Sequence, residues 1–453
     1  MAVAHTGDSA RNRRRVAVVG AGISGLTAAL RLDLLGYEVE LVEAAGILGG
    51  RFGLDKLGDR QVMTGGKNIG RRYHTFRWFT SELGADAYES FGYNASRIKD
   101  GQILTLDSER RSQTLKNIRR MGSARDFARM AAMAARIRAD ERNRFLGSRY
   151  FSGISRRHDH APLSSFFGRE MTDMLVRPMV IRNNGAEPDE VYPGTFGTNL
   201  AMLMDHYDQL AGGIQPVLDA FAKRVPVRLG ATVEGLEVRD GKVTGLRVSE
   251  AGAPARTSDY DGVVLATPAY ATAEIVRSAR PALARRLSDV NYFPSTVVLV
   301  EYDRPVFGHD VRALAMDDGP CSNAGSYGME ERHIVRYTYS GREGRLTDLS
   351  PENIGRLTGE AEERLVTYLG APRAERVNLL VKHWKAAYSG YLPHHAGFLA
   401  EVRESVAGVA GLELAGDYIQ GVSIEACART GRAAAGRLAA HLTSPSAPAR
   451  AAV

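Results

Sequence analysis

The sequence predicts a mixed α/β protein in which one parallel sheet is assembled from distant parts of the chain. Three short apolar runs predict its strands: residues 15–19, 261–268 and 412–417. The first and the last run lead into helical patterns, as expected of parallel strands that are covered on both faces. Because the chain has 453 residues, which is too long for one hydrophobic core, we expect at least two cores.

The first run opens the most specific local pattern. Residues 15–19 lead directly into Gly20, Gly22 and Gly25, which have the spacing G-x-G-x-x-G, and a helical pattern follows. In such a loop the first glycine permits a tight turn, the second lets the backbone approach a pyrophosphate, and the third lets helix and strand pack closely. The free N–H groups of the helix N-terminus favour an anion there. The pattern therefore predicts a dinucleotide site.

An acidic residue ends the second strand of this unit. Residues 38–42 read EVELV, a predicted strand that ends at Glu43, about 20 residues past the loop. A carboxylate at this place can accept hydrogen bonds from both ribose hydroxyls of an adenosine. The same carboxylate repels a 2′-phosphate. The predicted ligand is therefore FAD or NAD.

Composition excludes several other classes of protein. With 44% hydrophobic and 25% charged residues, the chain is neither disordered nor fibrous. No apolar run reaches the ~18–20 residues that span a bilayer, and Met1 to Arg15 lacks the apolar core of a secretory signal, so we expect a cytoplasmic protein. Two distant cysteines, Cys321 and Cys427, argue against a disulfide framework, and we expect no metal site. The net charge of +7 suits an anionic partner or simply solubility, and no nucleic-acid motif occurs.

Three further segments carry a family resemblance. Gly49-Gly50-Arg51 follows the second strand, residues 263–268 read VVLATP, and Ala415-Gly416-Asp417 ends the last strand. With the glycine loop, these segments resemble the superfamily of FAD-dependent amine oxidases and protoporphyrinogen oxidases, which also contains phytoene desaturase-like enzymes. The resemblance spans residues 15–437 and implies a discontinuous Rossmann-type FAD-binding α/β domain with an inserted α+β substrate domain.

The resemblance also implies roles for particular residues. Arg51 would lie near the pyrophosphate, Val233 would contact adenine, and Asp417 would meet the ribityl chain or the pyrophosphate. The last helix, near Ile424, would point its N-terminus at the flavin ring, where its dipole favours negative charge. The full predicted FAD set is Gly20, Gly22, Ser24, Gly25, Glu43, Ala44, Gly50, Arg51, Gly66, Lys67, Val233, Ala266, Thr267, Pro268, Gly416, Asp417, Ser423 and Ile424.

Other segments indicate the branch of the superfamily. Amine oxidases of this superfamily often bind FAD through a cysteine after a tryptophan, but residues 384–393 contain none, which predicts noncovalent FAD. Their flavin-side lysine is also missing from residues 293–298. Residues 177–191 and 292–305 resemble protoporphyrinogen oxidases instead.

The predicted activity follows from this branch. It is removal of a hydride from an activated C–H bond to make C=C or C=N, with O₂ or another acceptor taking the electrons. An amine oxidase, a desaturase of carrier-tethered substrates, and a non-enzymatic flavin scaffold or sensor remain the alternatives.

Domain boundaries follow from the order of these motifs. We expect the FAD-binding domain to comprise residues 14–75, 210–290 and 405–442, the substrate domain residues 76–209 and 291–404, and the tail 443–453 to be disordered.

Few side chains qualify for the chemistry itself. Lys67 and Arg71, with Arg72, could clamp a substrate anion near the flavin, or they could be structural charges. His395 is a candidate acid–base group.

A basic stretch over residues 110–157 contains Met, Phe and Ile at helical spacing, and residues 123–146 read as one long helix. This stretch suits a peripheral membrane surface, an acidic carrier protein, or a plain solvated helix face.

Overall fold

The computed structural model describes residues 14–92, 94–250 and 252–443. The predicted disordered tail therefore lies outside the described residues, apart from Thr443. The strands are β1 (Arg15–Val19), β2 (Glu38–Glu43), β3 (Leu54–Leu57), β4 (Arg60–Met63), β5 (Ile69–Gly70), β6 (Tyr88–Ser90), β7 (Asn94–Lys99), β8 (Gln102–Asp107), β9 (Tyr207–Leu210), β10 (Val227–Leu229), β11 (Ala231–Arg239), β12 (Lys242–Glu250), β13 (Arg256–Asp259), β14 (Gly262–Leu265), β15 (Asn291–Tyr302), β16 (Ala313–Ala315), β17 (Cys321–Ser326), β18 (Ile334–Tyr339), β19 (Arg376–Gly390) and β20 (Leu412–Leu414).

The helices are α1 (Ile23–Leu34), α2 (His74–Glu82), α3 (Arg111–Arg119), α4 (Ala124–Ala139), α5 (Arg149–His158), α6 (Arg169–Met171), α7 (Arg177–Asn184), α8 (Phe196–Leu203), α9 (Gln215–Ala222), α10 (Ala269–Val276), α11 (Pro281–Ser288), α12 (Gly341–Leu346), α13 (Pro351–Leu369), α14 (His395–Ala407), α15 (Asp417–Gln420) and α16 (Ile424–Thr443). Short 3-10 turns lie at Gly50–Phe52, Glu141–Arg144, Leu163–Ser165 and Pro193–Thr195, and a π-helical turn joins α6 to α7 at Thr172–Val176.

The parallel sheet combines strands from three distant parts of the chain, as the sequence predicts. Its order is β10-β2-β1-β14-β20, and every adjacent pair is parallel. The four residues of β1 that follow Arg15 are buried, because the sheet is covered on both faces. The carboxyl ends of β1 and β14 therefore meet at one edge, which is where ligands bind in open α/β sheets.

Two helices from opposite ends of the chain pack on this sheet. α1 follows β1, and α16 follows β20; Leu26, Leu30 and Leu438 are fully buried between them. The helices can approach closely because Gly431 has no side chain: a Cβ there would lie 2.0 Å from the Ser24 carbonyl oxygen. The N-terminus of α1 is thereby held beside α16.

A β-hairpin turns at Asp240-Gly241, a pair of residue types typical of such turns. β11 and β12 pair antiparallel with Arg239 opposite Lys242, and Asp240 and Gly241 have φ angles of 51° and 71°. Two left-handed residues match the twist of the flanking strands, which is why Asp-Gly is favoured there.

A second sheet has the order β19-β15-β18-β17-β16-β7-β8 and is antiparallel except between β16 and β7. Its two longest strands, β15 and β19, pair with each other along almost their whole length. The helices α3 to α8 pack together around a separate core that includes Met133, Phe151 and Phe196.

The long helix predicted over residues 123–146 is shorter in the structure. α4 ends at Ala139 because Asp140 is extended, with φ −143°, and its side chain accepts the N–H of Arg142. Arg144 does not belong to an exposed basic face: it is buried and pairs with Asp205 at 2.5 Å. Arg125, Arg136 and Arg138 are exposed on α4. No helix within the described ranges is long and apolar enough to cross a membrane.

Candidate active site

The glycine loop has the geometry that its spacing predicts. Gly20 has φ +98°, a conformation that residues with a side chain rarely adopt. A Cβ on Gly25 would lie 1.8 Å from the Gly20 carbonyl oxygen, so only glycine fits between the helix and the turn. A Cβ on Gly22, by contrast, would meet no atom within 4 Å. The backbone at Gly22 therefore faces open space.

Glu43 closes this loop from the end of β2. One carboxylate oxygen accepts the Ala21 N–H at 2.6 Å, and the other accepts the Ala45 N–H at 2.8 Å. Each oxygen retains a further lone pair, so the carboxylate can also accept ribose hydroxyls. The adjacent Ala44 is exposed.

A buried carboxylate organises the opposite wall. Asp417 accepts a hydrogen bond from Arg51 Nη1 at 2.7 Å and one from the Tyr292 hydroxyl at 3.0 Å. The Asp417 side chain is 2% exposed, whereas that of Arg51 is 35% exposed. Arg51 therefore spans from a buried anion to the edge of an open cavity.

That cavity has a volume of about 390 Å³ and joins the glycine loop to the second sheet. One wall is apolar and comes from α7, α8 and the π-helical turn: Met174, Leu175, Met179, Met202 and Leu203. The facing wall carries arginines from the second sheet and its loops.

The loop and the cavity fit an FAD molecule. α1 has neither a side-chain cap nor an acidic residue in its first turn, and its first residues line the cavity. Its N–H groups and the bare backbone of Gly22 can thus receive a pyrophosphate. At the other end, Gly66 faces Ile424, with 3.5 Å between its notional Cβ and Ile424 Cδ1, beside the N-terminus of α16.

The structure brings many of the predicted FAD residues to the cavity wall and leaves others behind it. Those in the lining are Gly22, Ser24, Arg51, Gly66, Lys67, Ala266, Thr267, Gly416, Asp417, Ser423 and Ile424. Gly20, Gly25 and Gly50 shape the turns behind that wall. Val233 is 9% exposed and packs with Val42 in the core rather than facing the cavity, and Pro268 precedes α10.

Two of the three catalytic candidates, Arg71 and His395, lie outside the lining of this cavity. Arg71 is exposed, donates to Asp208 at 3.1 Å, and lies in a separate surface pocket of about 200 Å³. His395 is 3% exposed, packs between Tyr391 and Phe398, and is absent from the cavity lining. Burial lowers the pKa of His395 to about 4. Its position on the inner face of α14 makes it a core residue.

Lys67 is the candidate that reaches the cavity. Its Nζ donates to the Gln209 side-chain oxygen at 2.9 Å and to the Tyr327 carbonyl oxygen, and it lies 3.7 Å from the centre of the Tyr327 ring. Burial lowers the pKa of Lys67 to about 7. No carboxylate in the described part of the chain forms an ion pair with it.

Four arginines in the lining were not predicted from the sequence: Arg182 on α7 and three from the second sheet and its loops. Arg97 lies on β7 and Arg312 just before β16; both are buried, and each has one terminal nitrogen without a hydrogen-bond partner among the described residues. Arg336 on β18 donates to the carbonyl oxygens of Gly65 and Thr64 at 2.8 and 2.9 Å, and so holds the loop before Lys67. Burial lowers the pKa of Arg97 to about 10. No local motif marks the three from the second sheet, since each stands on an otherwise unremarkable strand or loop.

The Rossmann-type sheet, the glycine loop and the cavity define an FAD-binding α/β oxidoreductase. The model of the flavin containing amine oxidoreductase family matches residues 23–439, and the chain belongs to that family. It is 26% identical to hydroxyneurosporene desaturase of Rubrivivax gelatinosus over 79% of this chain and 72% of that protein. It is 22% identical to mitochondrial protoporphyrinogen oxidase of Nicotiana tabacum over 66% of this chain and 67% of that protein.

Solved structures agree on the fold. Cyclohexylamine oxidase from Brevibacterium oxydans superposes with a TM-score of 0.73 at 18% identity, covering 95% of this chain and 100% of that one. The protein is therefore an FAD-dependent oxidoreductase that acts on a small molecule and passes the electrons to an acceptor. Bound FAD supplies a hydride acceptor.

Proposed function

We propose that this enzyme dehydrogenates a small molecule that has an apolar body and an acidic group, forming a C=C or C=N bond. The observation that carries this proposal is the charge of the cavity. Besides Lys67, the lining includes five arginines: Arg51, Arg97, Arg182, Arg312 and Arg336. Among the described residues, the acid in that lining is Asp417, which Arg51 already neutralises. Arg97 pairs with Asp317 outside the lining, so Arg312 and Arg336 carry the excess positive charge.

Such a wall favours an anion over a cation. Two like charges about 8 Å apart repel by roughly 2 kcal/mol at an effective dielectric constant of about 20, and opposite charges attract equally. A protonated amine therefore meets an unfavourable field, whereas a carboxylate meets a favourable one. Arginine also matches the planar geometry of a carboxylate, which it binds with two parallel N–H groups.

The apolar wall selects the rest of the substrate. Met174, Met179 and Met202 are flexible, polarisable side chains that adapt to an irregular apolar body. We infer that residues 76–209 and 291–404 form the substrate domain. Helices of the first stretch supply the apolar part of the lining, and the second sheet, which contains strands from both stretches, supplies arginines. The desaturase and the protoporphyrinogen oxidase among the relatives make this reaction type our first choice.

Several finer features belong to the same proposal. We propose that FAD is bound noncovalently, that Glu43 and the backbone of Val233 receive the adenosine, and that Arg51 and Asp417 lie along the pyrophosphate and the ribityl chain. The basic residues exposed on α4 are compatible with an acidic carrier protein or a membrane surface as a docking partner.

One anaerobic experiment tests the reaction. The purified holoenzyme is mixed with protoporphyrinogen, with a panel of amino acids and with neutral and amine analogues, and the flavin absorbance near 450 nm is followed. We expect bleaching by an acid-bearing compound and none by simple amines. Rapid bleaching by simple amines with no response to acids would refute the proposal.

A binding experiment tests the charge preference without turnover. Octanoate, octanol and octylamine have the same apolar body and differ in the head group. We expect octanoate to perturb the flavin spectrum at the lowest concentration and octylamine at the highest. The reverse order would contradict the anionic substrate.

A further inference from the structure

We propose that Lys67, as a neutral amine, is the general base of the reaction rather than an anchor for the substrate anion. This inference rests on the proposed function. Oxidising a CH–XH unit to C=X removes a hydride and a proton. The hydride leaves with its electron pair to the bound FAD, the X–H electron pair becomes the second bond of C=X, and the proton must go to a base.

The cavity offers few groups that could take this proton. Arginines stay protonated and have no lone pair to offer. In the lining as described, the other titratable groups are Asp417, Cys427 and four tyrosines at positions 73, 207, 327 and 388. Asp417 is held by Arg51 and Tyr292, and burial raises the pKa of Cys427 to about 12. Phenols ordinarily titrate near pH 10. Lys67 is left.

The hydrogen bonds of Lys67 suit an amine. A neutral amine has two N–H groups and one lone pair, and Lys67 Nζ has two acceptors, the Gln209 side-chain oxygen and the Tyr327 carbonyl oxygen. Glu89 accepts a hydrogen bond from Gln209 Nε2, which fixes the amide oxygen toward Lys67. Because both N–H groups of the neutral amine are used in these hydrogen bonds, its lone pair remains to accept a proton from a substrate in the cavity that Lys67 lines.

The surrounding charges hold Lys67 near its neutral form while still permitting protonation. Burial lowers the pKa of Lys67 most, Glu331 raises it, Arg336 lowers it and Glu89 raises it, with a result of about 7. The rings of Tyr327 and Phe91, 3.7 and 4.9 Å from Nζ, would stabilise the ammonium that forms when the proton arrives. A base with a pKa near the working pH is the efficient one.

The base and anchor roles predict opposite responses to pH. A base works when uncharged, so the rate constant of anaerobic flavin reduction should rise about tenfold per pH unit below 7 and level off above it. An anchor works when charged, so reduction at low substrate concentration should weaken above pH 7. Lys67→Arg keeps the charge but cannot deprotonate, and we expect it to lose activity about 10²–10⁴-fold, as Lys67→Met does.

The decisive experiment combines kinetics with a measurement that needs no substrate. Flavin reduction is followed by stopped flow, for whichever compound of the panel bleaches the wild type, in the wild type, in Lys67→Arg, in Lys67→Met and in the exposed control Lys385→Met. Added methylamine should partly restore the rate of flavin reduction in the Lys67→Ala variant. Near-normal reduction by Lys67→Arg would overturn the proposal.

The absorbance of the oxidised holoenzyme is titrated separately from pH 5 to 9. We expect a transition near pH 7 in the wild type and in Lys385→Met that is missing from Lys67→Met. If the wild type shows no such transition, the proposal that Lys67 is a neutral amine close to the flavin is refuted. If no compound reduces the wild type, the proposed function fails, and this titration still decides the state of Lys67.

Discussion

Gly22→Ala should separate FAD binding from folding. The new Cβ would meet no protein atom within 4 Å, and the residue has φ −73° and ψ 172°, which alanine adopts readily. Alanine is a poorer helix N-cap than glycine, so the apoprotein should lose less than about 1 kcal/mol. The methyl group would instead occupy the space through which a pyrophosphate reaches the N–H groups of α1.

The effect on the cofactor should be much larger. Losing about two charge-assisted hydrogen bonds, at about 1.5–3 kcal/mol each, would weaken binding by roughly 3–6 kcal/mol. At 1.4 kcal/mol per factor of ten, this corresponds to an FAD dissociation constant about 10²–10⁴-fold higher.

The assay uses apoprotein from which FAD has been stripped. FAD is titrated back by fluorescence quenching, and the Tm of each apoprotein is measured. Gly436→Ala, exposed on α16 with no atom within 4 Å of the new Cβ, is the matched control and should bind FAD normally. Wild-type affinity in Gly22→Ala would show that the pyrophosphate does not pass this residue.

Three other predictions can be checked with the same material. Gly25→Ala should destabilise the apoprotein severely, because its Cβ would lie 1.8 Å from the Gly20 carbonyl oxygen, and circular dichroism melts would show this; a normal melt would contradict the tight helix–turn contact. Acid precipitation should release all the flavin into the supernatant, since the predicted attachment segment has no cysteine; yellow colour in the pellet would refute noncovalent binding. Arg97→Gln should weaken octanoate binding about tenfold or more and leave octanol binding unchanged, because one charge-assisted contact is lost while Asp317 keeps its hydrogen bond from Arg177 at 2.8 Å. Equal weakening of both ligands would instead indicate a structural effect.

Features that depend on neighbouring residues were predictable from the sequence. Gly20, Gly25 and the Asp240-Gly241 turn are required by local backbone geometry, and their spacing is visible in a single chain. β1 and β14 could also be predicted, since burial on both faces makes each of them almost continuously apolar. β7, β8, β16, β17 and β18 carry weaker patterns and were missed.

The catalytic candidates show that local sequence patterns do not predict where a side chain lies in the fold. Lys67 and Arg71 are four residues apart, yet one lines the cavity and the other pairs with Asp208 at the surface, because the chain turns between them. His395 resembled a rim residue in sequence but is placed in the core by the packing of α14. Side-chain direction at such positions depends on contacts with distant elements.

The sequence by itself determined the dinucleotide loop and the first strands of the parallel sheet, because both depend on short-range spacing and burial. The choice of FAD over NAD came from the family resemblance of several separated segments. Only the tertiary structure decided the charge of the cavity. Arg97, Arg312 and Arg336 come from different strands or loops and meet only when the second sheet forms. Long-range strand pairing, which no local pattern records, therefore sets the charge of this cavity.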